Sequence, residues 1–172
     1  VTVTITGQND GPAIVSGRYQ GAVVEDAAAT LTSDGAITFS DIDLTDTHSV
    51  SVGAARVAVT GGVPAGFAPA GGFGTLTANV VENTADQNAQ GTINWRFAAD
   101  NASVQKLAAG QVATQVYTLT LTDRFGATTS QDVTVTLTGT NDAPTVTAAV
   151  ASGEVTEDAD RKSTRLNSSH MS

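Results

Sequence analysis

VTVTITGQNDGPAIVSGRYQGAVVED, residues 1–26, returns without a gap as VTVTLTGTNDAPTVTAAVASGEVTED at residues 133–158. Asn9-Asp10 falls on Asn141-Asp142, Pro12 on Pro144, and Glu25-Asp26 on Glu157-Asp158. A repeat at fixed offset marks a tandem array and sets where domains begin. The chain therefore reads as a window on such an array. Residues 1–8 are expected as the last strand of a preceding repeat and 9–140 as one complete repeat. Residues 141–160 are expected as the linker and start of the next.

Within that frame, threonine, valine and alanine alternate with the period of two expected of half-buried strands. Val1, Val3 and Ile5 share one face, as do Val133, Val135 and Leu137. Ile93, Trp95 and Phe97 make another apolar row, and Tyr117, Leu119 and Leu121 a further one. Shorter strands are predicted near 13–17, 21–24, 36–39, 48–52, 56–60 and 75–81. Turns are predicted at Ser33-Asp34-Gly35, Gly61-Gly62, Gly71-Gly72 and Asp123-Arg124-Phe125-Gly126, the last closing a hairpin. Helix is expected only over 102–109. Many short strands and almost no helix predict an all-β chain, an antiparallel β-sandwich of immunoglobulin-like type.

Composition narrows the function. Cysteine is absent, which excludes disulfides and thiolate chemistry, so stability must come from packing or another cross-link such as a metal. Through Asp160 five basic residues stand against 17 acidic ones, a charge of −12 that favours cations and repels nucleic acid and anionic lipid. No apolar run is long enough for a membrane-spanning helix. RKSTRLNSSHMS, residues 161–172, breaks both the repeat and the charge pattern and reads as a non-native tail.

Nothing in the chain reads as a catalytic centre. His48 is the one histidine outside the tail and is expected as an exposed spacer, and no serine lies in a nucleophile-elbow motif. The carboxylates cluster instead. Asp41-Ile42-Asp43 places two acids on one side of a strand end, with Asp46 behind them. Asp123 opens a turn, Asn9-Asp10 and Asn141-Asp142 lie at the junctions, and Glu25-Asp26 closes a short strand. Single residues of this kind ordinarily make turns and caps. As a set they offer the hard oxygens that calcium requires.

TGTNDAP at 138–144, the GxVxED-like segments at 21–26 and 153–158, YTLTLTDRFGATTSQDVTVTLTGTND at 117–142 and GTINWRFAADNASVQKLAAGQ at 91–111 together resemble the VCBS repeats. These are cadherin-like modules of large bacterial surface adhesins and related RTX-type proteins. The resemblance covers about residues 1–160; Gln8 and Gly11 depart from Thr140 and Ala143 of the second copy. It implies tandem cadherin-like sandwiches, calcium at the junctions, adjacent repeats as partners, an extracellular cell-surface location and type I secretion. By that analogy Asn9, Asp10, Asp41, Asp43 and Asp123 gather at one pole, and Glu25, Asp26, Asn141 and Asp142 at the other. The rival reading is a carbohydrate- or protein-binding module using the Gly/Pro/Ala-rich loop 61–74 and Trp95. The place of Trp95 between Ile93 and Phe97 favours core packing over sugar stacking.

Overall fold

The alternating segments become nine strands: β1 (Ala13–Gly17), β2 (Gln20–Val24), β3 (Thr30–Ser40), β4 (His48–Val52), β5 (Arg56–Thr60), β6 (Thr75–Glu82), β7 (Gln90–Asp100), β8 (Val112–Asp123) and β9 (Thr128–Thr138). A single helical turn, α1 (Asn101–Val104), separates β7 from β8. The structure is a computed structural model that describes residues 1–43, 45–61, 68–83 and 90–146. Two units divide at Asp142. Of the second, only residues 143–146 are described, exposed and without regular secondary structure. The tail 161–172 and the second Glu-Asp pair lie outside the described residues, as do residues 62–67 of the loop 61–74.

The strands form two sheets, ordered β1-β3-β7-β6 and β2-β9-β8-β4, with β5 also paired to β8. All pairs are antiparallel except β2 with β9, which run parallel over Gln20–Val24 and Thr134–Thr138. The sandwich is thus mixed at one edge. β4 and β5 line successive halves of β8, and the Gly53 amide donates to the Thr118 carbonyl between them at 2.8 Å.

The core lies between the inward rows: Leu31, Ile37 and Phe39 of β3, Ile93, Trp95 and Phe97 of β7, Tyr117, Leu119 and Leu121 of β8, and Val133, Val135 and Leu137 of β9. Trp95 pairs with Gly35 on one side and Ala78 on the other. A Cβ at Gly35 would collide with the indole ring. This overturns one expectation. Ser33-Asp34-Gly35 is not a turn but the middle of an 11-residue strand, and its glycine makes room for tryptophan. The turns at 71–72 and 123–126 do form, with positive φ at Gly71, Gly72 and Gly126.

The helix is shorter than expected. Asp100 caps it by accepting from the Ala102 amide at 3.1 Å, but α1 ends at Val104. Val104 and Leu107 then plug that end of the core, both almost fully buried.

Candidate metal centre

Strand alternation carries four inward rows out of the core and into a carboxylate. Ile37 and Phe39 lead to Asp41, Leu119 and Leu121 to Asp123, Val80 to Glu82, and Val23 to Glu25. Because β2, β8 and β3 run in defined directions, the first three acids cap one end of the sandwich and Glu25 the other. Asp41, Asp123 and Glu25 are 4%, 5% and 3% exposed. Burial of this depth requires a partner for the charge.

At the first pole, Asp41, Asp46 and Asp123 each bring one carboxylate oxygen within 4.8 Å of the others. Their remaining contacts fix them from below. Asp123 Oδ1 accepts from the Phe125 and Ala127 amides, both at 2.8 Å. Asp41 Oδ1 accepts from the Asp43 amide at 2.9 Å. Asp46 is held from one side only, by Arg124 Nε at 3.1 Å from Oδ1. Its Oδ2 is buried and is left without a hydrogen-bond donor among the described residues.

The segment ahead of β1 enters this group directly. Asn9 Nδ2 donates to Asp123 Oδ2 at 2.9 Å, and the Asp10 amide donates to Asp43 Oδ2 at 2.7 Å. The Asn9 bond, followed by the backbone amides, holds the Asp123 carboxyl below the usual range against an opposing desolvation. Burial pushes Asp46 up, and the charges of Asp43, Asp41 and Asp123 push it further, with Arg124 opposing. One carboxylate is therefore stabilised as an anion while its neighbour is not. A hard cation bound among these oxygens would relieve that conflict.

His48 departs from its expected exposed role. It ends the inward row of Val52 and Val50, and its side chain is 3% exposed. Nε2 faces Asp41 Oδ2 at 3.1 Å and Nδ1 faces Glu82 Oε1 at 3.1 Å, while the ring packs against Phe39 with centroids 4.7 Å apart. Its backbone amide also donates to Glu82 Oε1 at 2.7 Å. The inward side of the strand, rather than a surface turn, is what buries it.

At the opposite pole, Glu25 Oε2 accepts from the Thr140 amide at 2.8 Å, whereas Oε1 is buried with no donor among the described residues. Desolvation raises its carboxyl; Thr140 opposes this, and Asp142 and Asp26 add to it. Asp26 adopts φ 61° and is firmly satisfied, accepting from Asn101 Nδ2, Gln105 Nε2 and Thr140 Oγ1 at 2.9, 2.7 and 3.0 Å. These donors lower its carboxyl below the usual range. Asn141 and Asp142 are exposed, the Asn141 side-chain amide donating to the Asp142 carbonyl at 3.4 Å.

The sequence residues thus separate into two sets. Asn9, Asp10, Asp41, Asp43 and Asp123 meet at one end, with Asp10 entering through its backbone amide and Asp43 serving as its acceptor. Glu25, Asp26, Asn141 and Asp142 lie at the other. Asp46, His48 and Glu82 complete the first set. For His48 and Glu82 the signal was present as an apolar-x-polar continuation of a strand row; Asp46 has no such signal. Trp95 is 2% exposed and donates from Nε1 to the Arg18 carbonyl at 2.8 Å, so its ring is no sugar platform.

No family model matches the chain, and no curated protein matches it. Among solved structures, it is similar to the CooA pilin subunit from enterotoxigenic Escherichia coli, at 10% identity and a TM-score of 0.38 over 73% of this chain and 92% of that one. AggA, the major subunit of aggregative adherence fimbriae type I from Escherichia coli, shows 12% identity and a TM-score of 0.33 over 78% and 99%. The secreted serine protease VesC from Vibrio cholerae shows 13% and 0.27 over 78% of this chain and 24% of that one. Scores this low carry no argument about activity or assembly, and the sandwich rests on the strand pairing itself. Among the described residues no helix is long and apolar enough to cross a membrane.

Proposed function

We propose that the chain is a spacer module of a bacterial cell-surface adhesin, repeated in tandem and stiffened at its junctions by calcium. The observation that carries this reading is the Asp46 Oδ2 atom, buried and without a donor among the described residues, beside oxygens of Asp41 and Asp123. The oxygens of Asp41, Asp46 and Asp123 suit a hard cation rather than zinc or copper. The resemblance to VCBS repeats supports the tandem arrangement, the extracellular location and export by type I secretion.

Asp41, Asp46 and Asp123 would hold the cation, with Asn9 and Asp43 beside them. Calcium supplies charge neutralisation and ties between groups from separate segments. The chain's own part is to gather the carboxylates. Asp41 and Asp123 are fixed by strand ends, Asp46 by Arg124, and the linker is drawn in by Asn9 and Asp10. With the carboxylates unneutralised, their mutual repulsion works against the linker bonds and leaves the junction slack. Extracellular modules bind calcium at roughly 10⁻⁴–10⁻³ M, so such a site is empty in cytosol and filled outside the cell.

Calcium at ten times its dissociation constant contributes about 1.4 kcal/mol to folding. For a domain of this size that raises the melting temperature by about 5 °C. Melting curves in millimolar calcium and in chelator measure it directly, and superimposable curves would sink the proposal.

A further inference from the structure

VTVTITG at residues 1–7 and VTVTLTG at 133–139 are one strand in two settings, differing only at Ile5 against Leu137. In the second setting the strand is β9. It pairs on one side with β8 and on the other with β2, and Val133, Val135 and Leu137 are at most 1% exposed. In the first setting no strand forms, and Val3 and Ile5 are 79% and 92% exposed.

The glycines give a second, independent observation. A Cβ at Gly139 would lie 2.5 Å from the carbonyl oxygens of both Leu107 and Ala108, so β9 can leave the sheet past that turn only through glycine. At Gly7 a Cβ would meet nothing within 4 Å. The module's own packing gives no reason for glycine there. An apolar row it does not bury and a glycine it does not need both fit the same slot, the one between β2 and β8 beside the Leu107–Ala108 turn. In this chain β9 already fills that slot.

We infer that Val1–Gly7 is an interaction segment whose partner is a second copy of this fold, which it enters as the final strand. It runs antiparallel to the partner's β8 and parallel to the partner's β2, with Gly7 against the partner's Leu107–Ala108 turn. Two residues later Asn9 is bonded to Asp123 of the present module, and Asp10 to Asp43. The core of one copy and the acidic pole of the next are thus joined by Gln8 alone. This rests on the tandem reading above but not on calcium.

The test lengthens the chain by placing a copy of residues 9–132, which lacks its own last strand, ahead of Val1. Hydrogen exchange is then followed in chelator at the Val112–Asp123 strand of the added copy. A parallel chain carrying residues 9–140 ahead of Val1 shows the protection of a copy complete in itself. Expected is protection equal to that reference. Val3→Lys with Ile5→Lys should speed exchange in the added copy about 100-fold or more and leave the original module unchanged. The inference is overturned if the added copy stays unprotected beside a protected reference, or if the lysine variant protects it equally well. Loss of calcium binding alters neither outcome.

Discussion

Among the described carboxylates, Asp46 and Glu25 are the two whose environment works against their charge. Each is buried with one oxygen lacking a donor among the described residues, and each has its carboxyl raised, first by desolvation and then by neighbouring carboxylates. A group raised in the folded state contributes stability that is present below its unfolded pKa and is lost as pH rises through the folded one. Asp26 and Asp123 are lowered, and their contribution has the opposite sign, being lost as pH falls. In chelator, Asp46→Asn should therefore raise the melting temperature at neutral pH, and the gain should shrink as pH falls and the wild-type carboxyl takes up its proton. The same variant should weaken calcium binding about tenfold or more in a calorimetric titration. A variant more stable in chelator yet unchanged in affinity would place Asp46 outside the cation site. Glu25→Gln should likewise raise the melting temperature in chelator, since a neutral amide keeps the acceptor for Thr140.

Most strands were legible because threonine alternates with apolar residues in the period of the sheet. β1, β4 and β5 match their predicted spans, and β2, β6 and the last hairpin depart by a residue or so. β3 was not legible over its first half, because Ser33-Asp34-Gly35 has turn chemistry and only the indole opposite explains its glycine. Nor was the parallel edge, since pairing direction leaves no mark in alternation. The grouping of Asp41, Asp43 and Asp46 could be read from the chain, whereas the burial of Asp46 Oδ2 and of His48 depends on long-range packing. Gln115 is another case, fully buried in an apolar row. It accepts from the Phe73 amide and donates to Tyr117 Oη, which donates to the Gly74 carbonyl at 2.7 Å. Tyr117→Phe should cost about 1 kcal/mol in denaturant unfolding by breaking that chain of bonds. Gly139→Ala should cost about 1–3 kcal/mol through its backbone collision, while Gly7→Ala leaves the isolated module unchanged.

At the scale of the whole module, the chain enters through β1 at the acidic pole and leaves through β9 at the far one, and the two strands belong to opposite sheets. A pull on the two ends is therefore transmitted across the core. It acts along β1 and β9 rather than at right angles to them, so their ladder bonds are loaded together instead of being opened one at a time. β1 is the weaker grip, with four paired positions and a bulge between Ile14 and Ser16, whereas β9 is held on both flanks. The Asp10–Asp43 and Asn9–Asp123 bonds stand ahead of β1, where tension first arrives. Calcium at that pole would act as a mechanical clasp. Single-molecule stretching should show a lower rupture force in chelator, with β1 the first strand to yield.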